Sequence, residues 1–208
     1  MQVPTGLLVT FEGIEGSGKS TQVELTRAYV EEQGYPCLVT KEPGGSPLGK
    51  EIRGFLLDRK DLRIDPLAEL FLIETDRAQH VLEVLRPALD HGRIILCDRY
   101  TDATIAYQGY ARGLDIAVIA QMNHWATGGL TPQCTIVLDC PVEVGMARAK
   151  GEDRFEREDR RFHQQVREGY LRIAQEEPRR VKVVSGEGEQ SVIQGKIRKI
   201  IRPLLDRR

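Results

Sequence analysis

Apolar runs alternate with segments of helical periodicity along this chain, and such alternation predicts βαβ units on a parallel sheet. Five short runs are rich in apolar residues and predict strands, at residues 7–11, 37–40, 93–100, 135–139 and 180–185. Helical periods fill most of the chain between these runs. The pattern therefore predicts a doubly wound α/β fold, in which a five-stranded parallel sheet carries helices on both faces.

The spacing of apolar residues also indicates helix limits and buried faces. A helix is expected to begin at Pro66 behind Asp65 as its cap, and Pro87 is expected to kink or shorten it. Residues 101–127 are consistent with one broken helix or with two. The apolar positions of the first helix, the Pro66 helix, the helix after residue 160 and the closing helix are Leu25, Ala28, Tyr29; Leu67, Leu70, Phe71, Val81, Leu82, Leu85; Phe162, Val166, Tyr170, Ile173; and Ile193, Ile197, Ile200, Leu204.

The first predicted strand ends in a glycine-rich loop, and a helix follows that loop. Residues 13–20 read GIEGSGKS and match G-x-x-x-x-G-K-[ST], the phosphate-binding P-loop, in the context that the motif requires. Glycines let backbone N–H groups turn towards phosphate oxygens, and the helix N-terminus adds partial positive charge. We expect Lys19 to reach the β- and γ-phosphates of a nucleotide and Ser20 to coordinate Mg²⁺. A chance glycine loop with a surface lysine is the alternative. The predicted ATP-binding residues are Gly13, Ile14, Glu15, Gly16, Ser17, Gly18, Lys19, Ser20 and Thr21.

Length and composition indicate the domain size, the cellular compartment and the classes of partner to expect for this protein. The chain has 208 residues, enough for one domain with room for a small insertion. A formal net charge of −1 argues against a nucleic-acid-binding surface. The cysteines form no C-x-x-C pair, no apolar run reaches 18 residues, and the N-terminus has no signal-like core. These observations favour a cytoplasmic protein without a membrane or nucleic-acid partner.

Polar residues at the predicted strand ends narrow the class of P-loop protein. Asp98 and Arg99 lie at the carboxyl end of the third predicted strand, where we expect the carboxylate beside Mg²⁺ and the guanidinium on a phosphate. Arg53, Arg77 and Arg99 lie on separate segments that converge on the same sheet edge, which favours a small-molecule kinase. A local Asp–Arg pair and unconnected surface arginines are the alternatives. The guanine signature Asn-Lys-x-Asp is absent from the sequence.

A dense run of charges spans residues 148–161 and allows two interpretations. It is consistent with a solvated helix that carries pairs such as Glu156–Arg160. It is also consistent with a mobile lid whose arginine closes over the transferring phosphoryl group and excludes water. The charged residues are Arg148, Lys150, Arg154, Arg157, Arg160 and Arg161, with Glu152, Asp153, Glu156, Glu158 and Asp159.

Several motifs, in this order, resemble those of the bacterial thymidylate kinase family. The resemblance covers nearly the whole chain and implies a single P-loop nucleoside monophosphate kinase domain over residues 1–208, with a short helical lid at about 148–161. It implies that ATP and dTMP are converted with Mg²⁺ into ADP and dTDP, in a homodimer built on helices from the middle of the chain. The motifs are residues 11–21 (FEGIEGSGKST), 41–45 (KEPGG), 76–80 (DRAQH), 98–100 (DRY), 106–109 (AYQG) and 153–156 (DRFE).

The resemblance also implies catalytic roles. Lys19 and Arg154 stabilise the transferring phosphoryl group, and Ser20 holds Mg²⁺. Asp98 belongs to the water shell of the metal or lies near the acceptor phosphate. Family members carry a catalytic arginine in the P-loop or in the lid; because Gly16 occupies the P-loop position here, the chain resembles the lid-arginine type.

The acceptor site is implied in the same way. Arg53 and Arg99 hold the dTMP phosphate, and Glu15 holds the deoxyribose 3′-OH. An arginine at position 77 that donates to thymine O4 rejects cytosine, which has an amino group there. Gln108 suits the N3–H and a neighbouring carbonyl, and Tyr107 packs where a ribose 2′-OH lies, although it is equally consistent with plain core. The predicted acceptor-binding residues are Glu15, Glu42, Pro43, Arg53, Ile73, Arg77, Arg99, Ala103, Thr104, Tyr107 and Gln108.

Three positions depart from the family pattern. Lys41 replaces an arginine, and Ala103, beside Thr104, replaces a frequent serine. Ile73 stands where an aromatic usually stacks on thymine, so either aliphatic packing replaces stacking or Phe71 enters by a shift in register. The alternative functions are a related kinase that acts on dUMP or on deoxynucleosides and, from another class, a P-loop ATPase or GTPase switch.

Overall fold

The computed structural model describes residues 6–59, 61–149 and 153–206. These residues contain a single five-stranded sheet in which every pairing is parallel, as the alternating pattern predicts. The strands are β1 (Leu7–Glu12), β2 (Cys37–Lys41), β3 (Ile94–Asp98), β4 (Cys134–Asp139) and β5 (Val181–Ser185).

The strand order β2-β3-β1-β4-β5 puts β1 at the centre of the sheet. Phe11 of β1 and Lys41 of β2 both lie in register with Asp98 of β3, and Asp139 of β4 lies in register with Ser185 of β5. All the strands therefore end at one edge. The order reverses on either side of β1, and ligands in such sheets bind at that point of the carboxyl edge.

Helical segments connect the strands on both faces of the sheet. Three π-helical segments, Gly54–Asp58, Val81–Leu85 and Ile105–Ala111, continue α-helices that precede them. The α-helices are α1 (Lys19–Glu32), α2 (Pro47–Arg53), α3 (Pro66–His80), α4 (Arg86–Asp90), α5 (Thr101–Thr104), α6 (Ile116–Thr127), α7 (Val142–Arg148), α8 (Arg160–Glu176) and α9 (Gln190–Leu205).

The core occupies both faces of this sheet. On one face, Val9 and Leu96 belong to one apolar cluster with Ile197 of α9. On the other face, Val137 belongs to a second cluster with Val166 of α8. The apolar positions predicted for α8 are all buried, so that face was predicted correctly.

The buried face of α1 differs from the apolar prediction. Tyr29 is buried, but Leu25 is half-buried and Ala28 is exposed. Polar contacts with α9 set the rotation of the helix, because Gln22 Nε2 donates to Gln190 O and Thr26 bonds with Gln194. In α9 the buried face is likewise shifted by one residue near the C-terminal end of the helix. Ile201 and Leu205 are buried there, in place of the predicted Ile200 and Leu204.

The long helix after β2 extends further than Pro87 suggested. Asp65 Oδ1 accepts from the Leu67 N–H at 2.9 Å, which confirms the predicted cap. The chain stays helical from α3 through the π-helical segment into α4, where Pro87 occupies the first turn. The proline lies two residues past the π-helical segment, where the hydrogen-bond pattern already departs from that of an α-helix, and the chain passes it without a break.

Three of the six apolar positions predicted for this helix face outward. Leu70, Val81 and Leu85 are buried, whereas Leu67, Phe71 and Leu82 are exposed, Phe71 to 55%. The inner face of α3 is charged instead, with Glu69, Glu74, Asp76, Arg77 and His80 buried. This charged face is turned towards the carboxyl edge of the sheet. No described helix meets the length and hydropathy needed to cross a bilayer.

Candidate active site

The glycine-rich loop follows β1 and leads directly into α1. Gly13, Gly16 and Gly18 all have positive φ, at 140°, 68° and 93°. A Cβ on Gly13 would lie 2.6 Å from Leu138 O, so the loop lies against the end of β4. Gly18 is the N-cap of α1 and provides no side-chain cap, which leaves the first-turn N–H groups open to an anion.

Helix α7 packs so closely on this loop that two glycines meet. A Cβ on Gly16 would overlap Gly145 O, and a Cβ on Gly145 would lie 2.6 Å from Glu15 O. The position that holds arginine in some P-loops is thus filled by the backbone of α7.

Lys19 is buried at the start of α1 and bends back over the loop. Its Nζ donates to Gly13 O at 3.0 Å and to Ile14 O at 2.9 Å. Burial and the neighbouring Arg99 lower the pKa of Lys19 to about 8. An ammonium group in this position is desolvated, so it interacts strongly with any phosphate on the loop.

Ser20 and Asp98 join the loop to the end of β3. The Ser20 hydroxyl donates to Asp98 Oδ2 at 3.3 Å. A hydroxyl and a carboxylate side by side are hard oxygen donors of the kind that Mg²⁺ prefers.

Arg99 follows Asp98 in an unusual conformation. Its φ is 71°, and among the described residues no other residue except glycine has a positive φ. Its Nη1 donates to Gly13 O at 3.0 Å and to the Tyr170 hydroxyl at 3.2 Å, and its Nη2 donates to Glu15 Oε1 at 2.7 Å. The strained backbone therefore aims a half-buried guanidinium across the P-loop.

Glu15 of the P-loop lies at the centre of a polar cluster. The Tyr107 hydroxyl lies 2.8 Å and 2.7 Å from its two carboxylate oxygens, and His163 Nδ1 lies 3.5 Å from Oε2. Burial raises the pKa of Glu15, but Arg99 and His163 outweigh burial and hold the pKa below its usual value. Glu15 is thus a fixed anion and a hydrogen-bond acceptor.

A second buried carboxylate, Glu12, ends β1 beneath this cluster. It accepts from the Tyr100 N–H and from the Tyr170 hydroxyl, both at 2.8 Å. Burial and the neighbouring Asp102 raise the pKa of Glu12 to about 8. The Tyr170 hydroxyl that donates to Glu12 also accepts from Arg99 Nη1. Glu12 therefore holds Tyr170 in position for its contact with Arg99.

Arg77 is 1% exposed and is held by acceptors from several elements. Its Nε donates to Glu42 Oε2 at 2.9 Å, and its Nη2 donates to Tyr100 O at 3.1 Å. Burial favours the neutral form, but Glu42 and Glu74 outweigh burial and raise the pKa of Arg77. Its Nη1 lies 2.6–2.9 Å from oxygens of three further residues, Glu74, Thr104 and Asn123.

The loop after β2 completes this charged layer. The Glu42–Pro43 peptide bond is cis, and Glu42 also binds His80 Nδ1 at 2.8 Å. Asp76 Oδ1 accepts from the Gly44 N–H at 2.9 Å, while its Oδ2 is buried with no partner among the described residues. Burial and the nearby Glu42 raise the pKa of Asp76 to about 6.

One cavity of about 290 Å³ brings these groups together at the carboxyl edge. All the predicted acceptor-binding residues line it, as do Gly16, Lys19, Ser20 and Asp98 from the P-loop and β3. Ile73 is among the lining residues, whereas Phe71 is exposed and is not. The lining acceptor-site residues are Glu15, Glu42, Pro43, Arg53, Ile73, Arg77, Arg99, Ala103, Thr104, Tyr107 and Gln108.

The remaining predicted P-loop residues lie outside the lining of this cavity. Gly13 and Ile14 line a smaller crevice against β4, where Ile14 is buried. Ser17 is buried, and its Oγ has no partner among the described residues. Thr21 is exposed on the first turn of α1, and Gly18 precedes it as the N-cap.

Arg154, the predicted lid arginine, is turned away from the P-loop. Its Nε donates to Leu56 O at 2.9 Å and its Nη2 donates to Glu69 Oε2 at 2.5 Å. Its neighbours Asp153 and Phe155 line the cavity, whereas Arg154 itself does not. The arginine is therefore at the rim of the site.

The charged segment around Arg154 makes pairs across elements. Arg112 contacts Glu158 at 2.6 Å, and Arg160 pairs with Glu143. Residues 153–159 form turns, and α8 begins at Arg160. Lys150 and Glu152, also included in the predicted lid, lie outside the described residues.

Sequence reasoning missed Glu69, Glu12 and Tyr170 as members of the site. Glu69 is fully buried and binds Gln108 and Arg154. A signal for it was available, because Glu69 lies four residues before Ile73 and eight before Arg77, on one helix face. Glu12 lies inside a β-prone run, and no periodic signal distinguishes it.

Comparisons with known proteins agree with this geometry. A family model described as thymidylate kinase matches residues 11–197. A thymidylate kinase from Citrifermentans bemidjiense is 51% identical over 193 residues, which cover 88% of this chain and 86% of that protein. One from Symbiobacterium thermophilum is 46% identical over 204 residues, covering 97% and 95%. The crystal structure of thymidylate kinase from Ehrlichia chaffeensis has a TM-score of 0.78 at 32% identity, covering 94% of this chain and 98% of that chain.

Proposed function

This chain belongs to the thymidylate kinase family, and we propose how its residues divide the work of the family's reaction. ATP phosphorylates dTMP in that reaction, which yields ADP and dTDP. The observation that carries the assignment of residues is the single cavity that joins Lys19 of the P-loop to the guanidinium groups of Arg53, Arg77 and Arg99. A phosphate donor and a phosphorylated acceptor meet there.

The P-loop binds the phosphates of ATP through its backbone N–H groups. The supporting features are the positive φ values of its glycines and the uncapped start of α1. Lys19 transfers its donors from the loop carbonyls to the β- and γ-phosphates and neutralises charge that develops during transfer. The binding segment is Gly13, Ile14, Glu15, Gly16, Ser17, Gly18, Lys19, Ser20 and Thr21.

Ser20 and Asp98 fit a magnesium site. Their hydroxyl and carboxylate oxygens lie 3.3 Å apart beside the phosphate loop, and both are ligand types that Mg²⁺ prefers. Ser20 would ligate the metal through its hydroxyl, and Asp98 would bind it through a water. Bound Mg²⁺ supplies charge neutralisation on the ATP phosphates.

The dTMP phosphate binds to Arg99 and Arg53. Arg99 lines the cavity beside the P-loop, and its planar guanidinium can bind two phosphate oxygens at once. Arg53 donates one Nη1–H to Pro43 O at 2.9 Å, which supports its side chain beside the cavity. These contacts orient the attacking oxygen, which is the main protein contribution in a loose transition state.

The base is read by Arg77 and Gln108 at the inner end of the cavity. Arg77 donates its remaining Nη2–H to thymine O4, and an amino group at that position would meet a buried donor instead. Gln108 bonds with the N3–H. Ile73, Ala103 and Thr104 form the walls beside the base.

The deoxyribose lies between Glu15 and Tyr107. Glu15 is a fixed anion in the cavity and accepts from the 3′-OH. The Tyr107 ring occupies the space that a ribose 2′-OH would need, and its hydroxyl is fixed on Glu15. Glu42 holds Arg77 in place, and Pro43 gives its carbonyl to Arg53.

Arg154 completes the site when the lid closes. The arginine leaves Glu69 and Leu56 and stabilises the transferring phosphoryl group, since Gly16 leaves the P-loop without an arginine. We assign residues 1–208 to one kinase domain, with residues 148–161 as its lid. The position of Arg154 at the rim of the cavity supports its role in phosphoryl transfer.

The protein acts as a homodimer in the cytoplasm. Exposed apolar side chains on the adjacent helices α3 and α6 and on the π-helical segment that follows α3 support the dimer, among them Phe71, Trp125 and Leu82. Trp125 is 75% exposed. Unpaired buried thiols at Cys37, Cys97, Cys134 and Cys140 support a reducing compartment.

A screen of phosphate acceptors with ATP and Mg²⁺ tests the function. dTMP is expected to give the highest kcat/KM among dTMP, dUMP, dCMP and thymidine, and omission of Mg²⁺ is expected to abolish turnover. Preference for thymidine would identify a deoxynucleoside kinase. Rapid ATP hydrolysis without any acceptor would identify a switch ATPase.

A further inference from the structure

Glu69 is a fully buried carboxylate on α3, and every partner it has among the described residues is a donor. Gln108 Nε2 donates to its Oε1 at 2.7 Å, and Arg154 Nη2 donates to its Oε2 at 2.5 Å. Arg112 Nε lies 3.3 Å from Oε1. Two guanidinium groups thus balance the charge, and the carboxylate offers only acceptors to Gln108.

An acceptor-only partner decides which way round the Gln108 carboxamide lies. A carboxamide has an N–H₂ donor on one side and an oxygen acceptor on the other, and it can turn over if both sides find partners. Here the flipped form would set the Gln108 carbonyl oxygen against the Glu69 carboxylate at hydrogen-bond distance. Gln108 is 1% exposed, so water does not relieve that repulsion.

The fixed orientation leaves Gln108 Oε1 as the acceptor beside the cavity. Gln108 lines the cavity, and its Oε1 has no partner in the described part of the chain. Thymine and uracil present an N3–H donor, which an acceptor can receive, together with a carbonyl beside it. Cytosine presents an unprotonated N3 next to an amino group and would match only the flipped carboxamide.

We propose that Glu69 is a positioning residue that locks the Gln108 carboxamide in the orientation for N3–H pyrimidines and thereby contributes to the rejection of cytosine. The proposal rests on the proposed acceptor site, in which Gln108 faces the base edge. Arg77 reads the exocyclic group at C4, and Glu69 acts through Gln108 on N3. The two contributions are separable by mutation.

The test compares wild type with Glu69→Gln and Glu69→Asp, using dTMP, dUMP and dCMP as acceptors and ATP as donor. A glutamine at position 69 can accept from or donate to Gln108, so both orientations of the carboxamide become available. In Glu69→Gln the ratio of kcat/KM for dCMP to that for dTMP is expected to rise about tenfold. The ratio of dUMP to dTMP is expected to stay constant, since both bases carry N3–H. Glu69→Asp keeps an acceptor-only side chain and is expected to retain the wild-type ratios.

Glu158→Gln is the matched control, because it loosens the Arg112 pair without touching Gln108. It is expected to leave all the acceptor ratios unchanged. Equal losses for all three acceptors in Glu69→Gln would mean that Glu69 only supports the fold, and the proposal would be overturned. Wild-type activity with dTMP tests the proposed function separately from these ratios.

Thermal melting shows whether Glu69→Gln folds. If it does not fold, a second variant, Gln108→Leu, tests the proposal. Gln108→Leu removes the carboxamide and leaves a side chain of similar size. It is expected to raise the dCMP to dTMP ratio about tenfold as well. Wild-type discrimination in Gln108→Leu would overturn the proposal.

Discussion

The two halves of the proposed active site differ in what forms them. The proposed donor half is one contiguous loop whose backbone would bind the phosphates, with glycines at the three positive-φ positions Gly13, Gly16 and Gly18. The acceptor half is made of side chains from separate elements, and charged residues such as Arg77 and Glu42 are buried there. A backbone site is specified locally by sequence. A site made of side chains depends on long-range packing and on exact balance among buried charges.

The arginine of the proposed lid gives the largest expected effect. Arg154→Ala is expected to lower kcat by about a thousandfold, because an arginine on the transferring phosphoryl group contributes on that scale. Titration calorimetry is expected to show nearly unchanged dTMP affinity. Arg160→Ala, which removes an exposed pair with Glu143, serves as the control. Normal turnover in Arg154→Ala would remove the arginine from catalysis.

The balance of charge in the acceptor half is tested most directly at Arg77. Arg77→Ala leaves Glu42 and Glu74 without their buried cation, so we expect the free energy of unfolding to fall by about 3–5 kcal/mol. It is also expected to raise the KM for dTMP and to relax the rejection of dCMP. Denaturant unfolding and steady-state assays measure the two effects.

Arg53→Ala is the contrast within the same cavity. Arg53 donates to a single carbonyl and has no buried carboxylate partner among the described residues, so its loss is expected to raise the KM for dTMP with little change in stability. Unchanged discrimination between dTMP and dCMP in Arg77→Ala would contradict the role of Arg77 in base reading.

Asp76 shows that the acceptor half also carries an uncompensated charge. Its pKa in the folded protein is about 6, above the ordinary value of an aspartate. The ionised carboxylate therefore destabilises the fold above pH 6. This destabilisation disappears as the pH falls from about 6 to about 4, because the carboxylate is then protonated in the folded protein. Asp76→Asn is therefore expected to raise the free energy of unfolding at pH 8 by up to about 3 kcal/mol, with no gain near pH 4. Urea melts across this range measure it.

Asp61, on the surface, provides the control for that experiment. Its pKa is lowered to about 2 by Arg59, the opposite direction, so Asp61→Asn is not expected to stabilise the protein at pH 8. A gain for Asp76→Asn that did not depend on pH would contradict the titration of Asp76.

The smallest expected effect concerns the wall of the base pocket. Ile73→Ala removes aliphatic contact with the base and is expected to raise the KM for dTMP about five- to tenfold. Phe71→Ala, two positions away on the exposed face of α3, is expected to leave that KM unchanged and to weaken self-association in analytical ultracentrifugation. A larger kinetic effect at Phe71 than at Ile73 would reverse the assignment.

The same contrast explains what sequence reasoning predicted. The five-stranded parallel sheet and the buried stripe of α8 follow from local patterns of apolar residues and were predicted correctly. The face of α1 was not, since polar bonds from Gln22 and Thr26 to α9 decide it. The outward apolar side chains of α3 follow from a charged inner face that an apolar count does not detect.

Glu69 shows the same limit within the site. Its position on the face of Ile73 and Arg77 is visible in the sequence, but its three donors come from segments far along the chain. Only the folded arrangement shows that one carboxylate serves Gln108 and Arg154 together. Contacts of this kind form only in the folded protein, and no pattern in the neighbouring sequence predicts them.

The close approach of Gly16 and Gly145 has an evolutionary consequence. Any side chain at position 16 would collide with α7, and position 145 is equally closed by the P-loop backbone. A lineage with this helix placement cannot acquire an arginine at position 16 by one substitution, because an intermediate with a displaced α7 would be needed first. A single exchange at position 16 is therefore closed to this chain, because the cost falls on the packing of α7 and not on the P-loop alone.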